Sequence, residues 1–208
     1  MEDVLDIYHL AYDPNYPVVC FDESNKQLVA ETRTSVPLAP GQPERYDYEY
    51  QRNGVRNLFL LFSPLVSWRH VKVTELRTHL EWAYCMKDLV DVHFPEATRV
   101  VVIQDNLNTH NPAFLYEVFE PTEAKRILDK LDFHFTPKHG SWLNMAEIEF
   151  SVLSRQCLSR YIEDEASLIH EINSWQEDRN KLQATVDWQF TTDNARIKLK
   201  KLYPSFND

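Results

Sequence analysis

Three carboxylates stand where a metal-dependent nuclease would need them. Asp22 follows the apolar run Val18–Phe21, Asp105 follows an apolar run over 99–104, and Glu147 lies in the first turn of a predicted helix. Acids from two strands and a helix can hold two divalent ions, which activate a nucleophile and stabilise the leaving oxygen of a phosphodiester. Each Mg²⁺ typically takes only one or two protein carboxylates, so three acids suffice. Asp22 would bridge both ions, with Asp105 on one and Glu147 on the other.

Each acid also has a purely structural explanation. Asp22 and Asp105 end predicted strands, where Asp is a common turn former. Glu147 lies three residues after Asn144, at the spacing of a side chain that bonds back to the start of its own helix. Taken singly, the structural explanation is favoured for each acid. Glu149 also competes with Glu147 as the third acid.

The sequence around the acids resembles the catalytic domain of DDE transposases, specifically the bacterial insertion-sequence relatives of mariner in the IS-six-thirty branch. The resemblance covers nearly the whole chain, and its most specific motifs are Phe21-Asp22-Glu23-Ser24, Asp105-Asn106 with Thr109-His110, His139-Gly-Ser-Trp-Leu-Asn-Met-Ala-Glu147 and Phe190-Thr-Thr-Asp-Asn-Ala-Arg-Ile-Lys-Leu-Lys. It implies an α/β, RNase H-like fold with a mixed five-stranded sheet flanked by helices. It also implies metal-dependent DNA cleavage and strand joining, with Asp22, Asp105 and Glu147 as the acidic triad and Mg²⁺ or Mn²⁺ as cofactor, in two ions. Because the motifs match around all three acids, the catalytic explanation becomes the favoured one.

The third acid is where the chain departs from the family pattern. Glu147 is preferred over Glu149 because the stretch 143–147 aligns with the family's Leu-Asn-Pro-Ile-Glu, although Met-Ala here replaces Pro-Ile. Between Asp105 and Glu147 lie 41 residues, more than mariner-type members usually have. The extra length is interpreted as a second helix that begins after Pro121.

The resemblance further implies partners and secondary site residues. The partners are transposon-end DNA and target DNA, a second copy of the chain in the active complex, and an upstream helix-turn-helix DNA-binding segment or reading frame that this chain lacks. Residues 1–16 would be a lead-in and 17–208 the catalytic domain. The candidates for DNA contacts are Asn106, His110, Lys138, His139 and Arg155. For Asn106 and His110, a turn Asn and a solvent-facing His are equally acceptable explanations.

Composition sets limits on the partners and the compartment. A chain of 208 residues with 43% hydrophobic content suits one domain, and three widely spaced cysteines suggest neither disulfides nor zinc. The first residues do not form a secretory signal, and no run is long enough to cross a bilayer, so a soluble cytoplasmic protein is expected.

The net charge of −10 predicts weak DNA binding by the chain alone, since affinity for DNA comes largely from Lys and Arg. Local basic surface could come from two groups, although a solvated face is an equally good explanation of either. The groups are Arg52, Arg56, Arg69 and Lys72, and Arg196, Lys198, Lys200 and Lys201.

The predicted elements follow hydrophobic periodicity and turn signals. They are a helix within 2–11, strands over 17–21 and 27–31, a loop over 36–44, a hairpin of 57–62 with 68–74, a helix from about 78 to 93, a strand over 99–104, helices starting at 111 and 122, a strand over 133–136, and helices over 145–161 and 167–181. Two other functions remain open. One is a truncated, non-catalytic transposase that pairs with intact copies and inhibits them, and the other is a host RNase H-like nuclease.

Overall fold

The computed structural model describes residues 1–32, 49–138 and 140–203. In chain order, the elements are α1 (Glu2–Tyr8), β1 (Val18–Glu31), β2 (Tyr50–Ser63), β3 (Trp68–Thr74), α2 (His79–Asp88), β4 (Val100–Gln104), α3 (Leu115–Val118), α4 (Pro121–Asp129), β5 (Leu131–Phe135), α5 (Met145–Leu153), α6 (Glu165–Lys181) and α7 (Thr192–Lys198). Helices α2 and α5 each continue into a π-helical turn, at Leu89–His93 and Ser154–Leu158. The loop predicted over 36–44 lies outside the described residues.

The five strands form one mixed sheet in the order β3-β2-β1-β4-β5. The first three strands pair antiparallel, and β4 and β5 add to β1 in parallel. Parallel neighbours need a crossover, which α2 supplies between β3 and β4 and α3 with α4 supply between β4 and β5. The predicted mixed five-stranded sheet flanked by helices is therefore confirmed.

Each face of the sheet carries its own apolar core. Alternating residues of β1 divide between the two cores, since Val18 and Cys20 pack on one side and Val19 and Phe21 on the other. The first core gathers residues of α1, α5, α6 and α7, and the second those of α2, α3 and α4. The sheet is thus a central layer between two helical layers.

The first strand is longer than the sequence indicated. The prediction of two strands over 17–21 and 27–31 was wrong, because β1 runs unbroken from Val18 to Glu31 with only a register shift between Gln27 and Val29. Its polar middle pairs with β2 through backbone hydrogen bonds, which do not depend on side-chain polarity. Asp22 therefore lies within the strand and not at its end.

The N-terminal segment belongs to the folded core. Helix α1 buries Val4, Leu5, Ile7 and Tyr8, and it contacts both α7 and β5. The segment predicted as a lead-in over 1–16 therefore contributes to the packing of the rest of the chain. Across the ranges that the structure describes, no helix has the length and apolar character needed to cross a membrane.

Candidate active site

The position of Asp22 follows from the alternation of side chains along β1. Asp22 pairs with Leu60 of β2, and its Oδ1 accepts a hydrogen bond of 2.8 Å from the N–H of Glu23. Because Phe21 packs in the core on the α2 side, Asp22 belongs to the opposite side, which α5 covers.

Asp105 comes directly after β4, the strand parallel to β1. Cys20 pairs with Ile103, and extending this register by two residues sets Asp105 beside Asp22. Its Oδ1 lies 2.7 Å from Nδ1 of His110 and accepts a hydrogen bond of 3.3 Å from the N–H of Leu107. One carboxylate oxygen is thus engaged by the loop that follows the strand.

Glu147 reaches the same region because the start of α5 is tied to β1. Asn144 caps the helix by accepting from the N–H of Ala146 at 3.2 Å, and its Nδ2 donates to the carbonyl of Phe21 at 2.8 Å. The N–H of Asn144 donates to Ser141, so it is not the partner that the capping explanation of Glu147 requires. Glu147 is exposed in the first turn of the helix.

The charges of Asp105 and Glu147 act on Asp22. Burial, helped by the charges of Glu23, Asp105 and Glu147 and opposed by the hydrogen bond from the Glu23 N–H, raises the pKa of Asp22 to about 7. The hydrogen bond with His110 lowers the pKa of Asp105 in spite of partial burial. A carboxyl that is reluctant to ionise therefore lies beside one that ionises readily.

His110 is buried between two carboxylates. It is 2% exposed, with Nδ1 at 2.7 Å from Asp105 and Nε2 at 2.8 Å from Oε2 of Glu23. Burial alone would lower the pKa of His110, but the two carboxylates raise it to about 9. The interpretation of His110 as a solvent-facing side chain was wrong, and its burial also prevents it from contacting DNA directly in this conformation.

The carboxylates of the candidate site suit a hard divalent cation. Asp22, Asp105 and Glu147 offer carboxylate oxygens, which Mg²⁺ and Mn²⁺ prefer, and a bound cation would offset the charges that raise the pKa of Asp22. Among residues 1–32, 49–138 and 140–203, no three His, Cys, Asp or Glu side chains converge closely enough to form a metal site as they stand. The residues therefore fit the cation by type and charge, while the structure defines no coordination geometry.

Glu149, the competing third acid, has a different role. It is fully buried, and its Oε1 lies 2.8 Å from Nε of Arg69 and 2.8 Å from Nε of Arg179. Nη2 of Arg179 donates to its other oxygen at 3.1 Å. A carboxylate held between two guanidinium groups inside the protein is a structural ion pair, and it is not free to bind a metal.

Half of the eight basic residues predicted to form local positive surface are paired with acids in the described part of the chain. Arg69 is buried with Glu149, so its assignment to a DNA-facing surface was wrong. Other members of the two groups form ion pairs at the surface: Arg56 with Glu165, Lys72 with Asp88, and Arg196 with Glu2. These ion pairs remove part of the positive charge of each group.

A groove of about 540 Å³ opens next to Asp105. It is lined by Asp105 itself and by Asn106, Lys138 and Ser141, among others. Lys138 and Asn106 are exposed. The groove therefore joins the second acid to a cationic side chain from the loop that precedes α5.

The comparisons with known proteins bear on the fold and the family of this chain. Residues 17–169 match the family model described as DDE superfamily endonuclease. The chain belongs to this family. A search of curated protein sequences gives no match.

Solved structures of Mos1 transposase share the fold of this DDE family member. The paired-end complex with left transposon end matches with a TM-score of 0.57 and 13% identity over 88% of this chain and 56% of that one. The mariner paired-end complex with Mn matches with a TM-score of 0.56 and 16% identity over 88% of this chain and 54% of that one. The strand transfer complex matches with a TM-score of 0.55 and 12% identity over 88% of this chain and 57% of that one. The chain thus spans a little over half the length of these structures, and its fold is RNase H-like.

The structure shows which of the residues predicted to contact DNA are exposed at the surface. Asn106, Lys138 and Arg155 are exposed, so each is accessible to a ligand, while His139 lies outside the described residues. For Glu23 the sequence left open a partner that supports the metal ligands or an exposed acid; its side chain is buried, so the second explanation was wrong, and the contact with His110 was not predicted. The motif Asp105-Asn106 with Thr109-His110 was the available signal, but the burial of His110 depends on packing against Phe21 and Trp82.

Proposed function

We propose that this chain is the catalytic part of a transposase from the bacterial insertion-sequence branch related to mariner. It would cut DNA at transposon ends and join the freed strand to target DNA, using Asp22, Asp105 and Glu147. The observation that carries the proposal is the placement of the three acids on adjoining elements: Asp105 follows the strand parallel to β1, and the start of α5, which carries Glu147, is tied to the backbone of β1 next to Asp22. The membership in the DDE endonuclease family supports it.

Two divalent ions, Mg²⁺ or Mn²⁺, would be held by the three acids and would activate the attacking oxygen and stabilise the leaving oxygen. Asp22 would contribute a carboxylate shared by both ions. Asp105, whose ionised form is favoured by the contact with His110, would hold one ion, and Glu147 in the first turn of α5 would hold the other. The Mn-containing structure among the similar proteins supports this choice of ion.

DNA would approach through the groove beside Asp105. Lys138 and Asn106 line this groove and can contact phosphate oxygens, and exposed Arg155 extends the contact beyond α5. Phosphate contacts position a duplex without reading its sequence. Recognition of transposon ends is therefore assigned to a segment other than this one.

The charge of the chain supports a partner for DNA binding. A net charge of −10, with Arg56, Lys72 and Arg196 neutralised by acids, leaves little basis for tight association with DNA. We assign that role to an upstream helix-turn-helix segment or reading frame, with the active complex as a homodimer in the cytoplasm. The catalytic domain would comprise residues 17–208, with 1–16 as its N-terminal segment.

The test is cleavage of supercoiled plasmid DNA by the purified chain in Mn²⁺ at low ionic strength, where weak DNA binding is least screened. Mn²⁺-dependent nicking by the native chain, abolished in Asp105→Asn, is the expected result. Equal nicking by the variant would show that the activity does not come from this site. Absence of nicking by the native chain, together with inhibition of an intact transposase, would favour the truncated inhibitor instead.

A further inference from the structure

The strongest unassigned feature is a row of three ionisable side chains that begins inside the protein and ends at Asp105 of the triad. His110 lies between the other two: its Nε2 is 2.8 Å from Oε2 of Glu23, and its Nδ1 is 2.7 Å from Oδ1 of Asp105. His110 and Glu23 are almost fully buried, with side-chain exposures of 2% and 4%, whereas the Asp105 side chain is 35% exposed. Of these three side chains, only that of Asp105 is thus accessible to a ligand.

Glu23 belongs to the side of β1 away from the triad. It follows Asp22 directly, so the pleat of the strand turns its side chain to the face that carries Phe21 and α2. Besides His110, its nearest cation is Arg77, at 3.9 Å from Oε1. Glu23 is therefore placed to hold the far nitrogen of His110 and not to join the metal ligands.

The ring of His110 is also fixed by its surroundings. Its backbone carbonyl accepts a hydrogen bond of 3.0 Å from Gln104, whose other amide atom accepts from the indole N–H of Trp82 at 3.1 Å. Phe21 contacts the ring edge-on at 5.3 Å between centroids. The imidazole therefore has a defined orientation before any ligand is bound.

We propose that His110 is a positioning residue that, anchored by Glu23, holds the Asp105 carboxylate in the orientation needed to bind a divalent cation. Because His110 engages Oδ1, Oδ2 is the oxygen of Asp105 that would remain available to a metal ion. Partners of this kind behind a metal ligand typically contribute ten- to a hundredfold to metal affinity or activity. The inference rests on the proposed function, because it assumes that Asp105 is a metal ligand.

The two ring nitrogens can be tested separately. In His110→Asn the amide nitrogen lies near the former Nδ1 and can still donate to Asp105, whereas in His110→Gln it lies near the former Nε2 and can reach only Glu23. We expect Mn²⁺ affinity, measured by calorimetry, to fall in the order native, His110→Asn, His110→Gln, with about a tenfold or larger loss for the Gln variant. A higher Mn²⁺ concentration should restore DNA cleavage by the His110→Gln variant.

His134→Asn is the matched control, since Nδ1 of His134 also lies 2.7 Å from an aspartate, Asp3, at a place outside the candidate site. It should bind Mn²⁺ like the native chain. Equal losses in His110→Asn and His110→Gln would overturn the inference, because a merely structural histidine would affect both alike. Unchanged affinity in both variants, or no Mn²⁺ binding by the native chain, would also overturn it.

The proposed function fails in a different way. If the native chain binds Mn²⁺ and the His110 variants follow the expected order, but no DNA is cleaved, the positioning role stands and the transposase activity does not. If DNA is cleaved with the same Mn²⁺ dependence in native chain and variants, the activity stands and the positioning role does not. The variant Asp105→Asn is the reference for complete loss of both Mn²⁺ binding and DNA cleavage.

Discussion

At the scale of single residues, Glu147 and Glu149 show how two acids of one helix take different roles. They are separated by about 200° around α5, so one is exposed at the site while the other is buried in the core. The alignment of the surrounding motif was enough to prefer Glu147. The sequence could not show why Glu149 is buried, because its partners Arg69 and Arg179 come from distant parts of the chain.

The substitutions Glu147→Gln and Glu149→Gln should therefore have opposite effects. Glu149→Gln should lower the free energy of unfolding by about 3 kcal/mol, since it leaves two guanidinium groups without their buried carboxylate. Glu147→Gln should change stability by less than about 0.5 kcal/mol and abolish Mn²⁺-dependent cleavage. Urea denaturation and a nicking assay on both variants measure this, and loss of activity with full stability in Glu149→Gln would reverse the assignment.

Asp22 should make stability depend on pH in the absence of metal. Its pKa is raised to about 7 in the folded chain, so the unfolded chain loses this proton first and stability falls as pH rises from about 4 to about 7. Asp22→Asn should therefore be more stable than the native chain above pH 7, by about 1 kcal/mol or more, which is roughly 2–4 °C in Tm. The difference should vanish below pH 4.

Thermal melts in EDTA between pH 4 and pH 8.5 test this expectation for Asp22. Asp193→Asn is the control, because its side chain is 88% exposed and removing its charge should produce no such pH-dependent gain. A native chain that is more stable than Asp22→Asn at pH 8 would contradict the account. Added Mn²⁺ should stabilise the native chain more than the variant, since the cation would offset the charge of Asp22.

At the scale of elements, the site depends on how α5 is fastened to β1. Asn144 was recognisable from the sequence as a helix cap, but its second bond to the carbonyl of Phe21 was not, since a contact between distant segments leaves no local pattern. The length of β1 was missed for a related reason. Its polar residues after Asp22 look like a turn until their pairing with β2 is known.

The substitution Asn144→Ala should weaken both the helix and the site. It removes the cap of α5 and leaves the Phe21 carbonyl without its donor, which together should cost about 2 kcal/mol of stability. Cleavage should fall about tenfold or more, because a displaced Glu147 misplaces the reacting groups. Asp164→Ala, which removes the exposed cap of α6, should cost about 1 kcal/mol without this loss of activity.

Unfolding curves and cleavage rates for Asn144→Ala and Asp164→Ala separate the two effects. The account requires a loss of rate in Asn144→Ala at temperatures where the variant is fully folded. Equal rates for the two variants under those conditions would mean that the tie between α5 and β1 does not position Glu147.

At the scale of the whole molecule, the two-core sheet was largely predictable and its electrostatics were not. Apolar runs such as 99–104 and the order of elements indicated the α/β sheet, and the motif resemblance indicated which edge carries the acids. Charge is harder to predict, because counts of Lys and Arg do not show which are neutralised. The ion pairs of Arg56, Arg69 and Arg196 with acids distant in sequence removed part of the positive surface that the counts had suggested.

The claim that Asp22 and Asp105 bind a divalent cation is tested by titrating Mn²⁺ into the native chain in the presence of a short DNA duplex and measuring the heat of binding. The same titration is made on a variant that carries both Asp22→Asn and Asp105→Asn. The account predicts saturable Mn²⁺ binding by the native chain that is lost in the double variant, since the two carboxylates are the shared core of the proposed site. Equal binding by both proteins, or none by the native chain with DNA present, would contradict it.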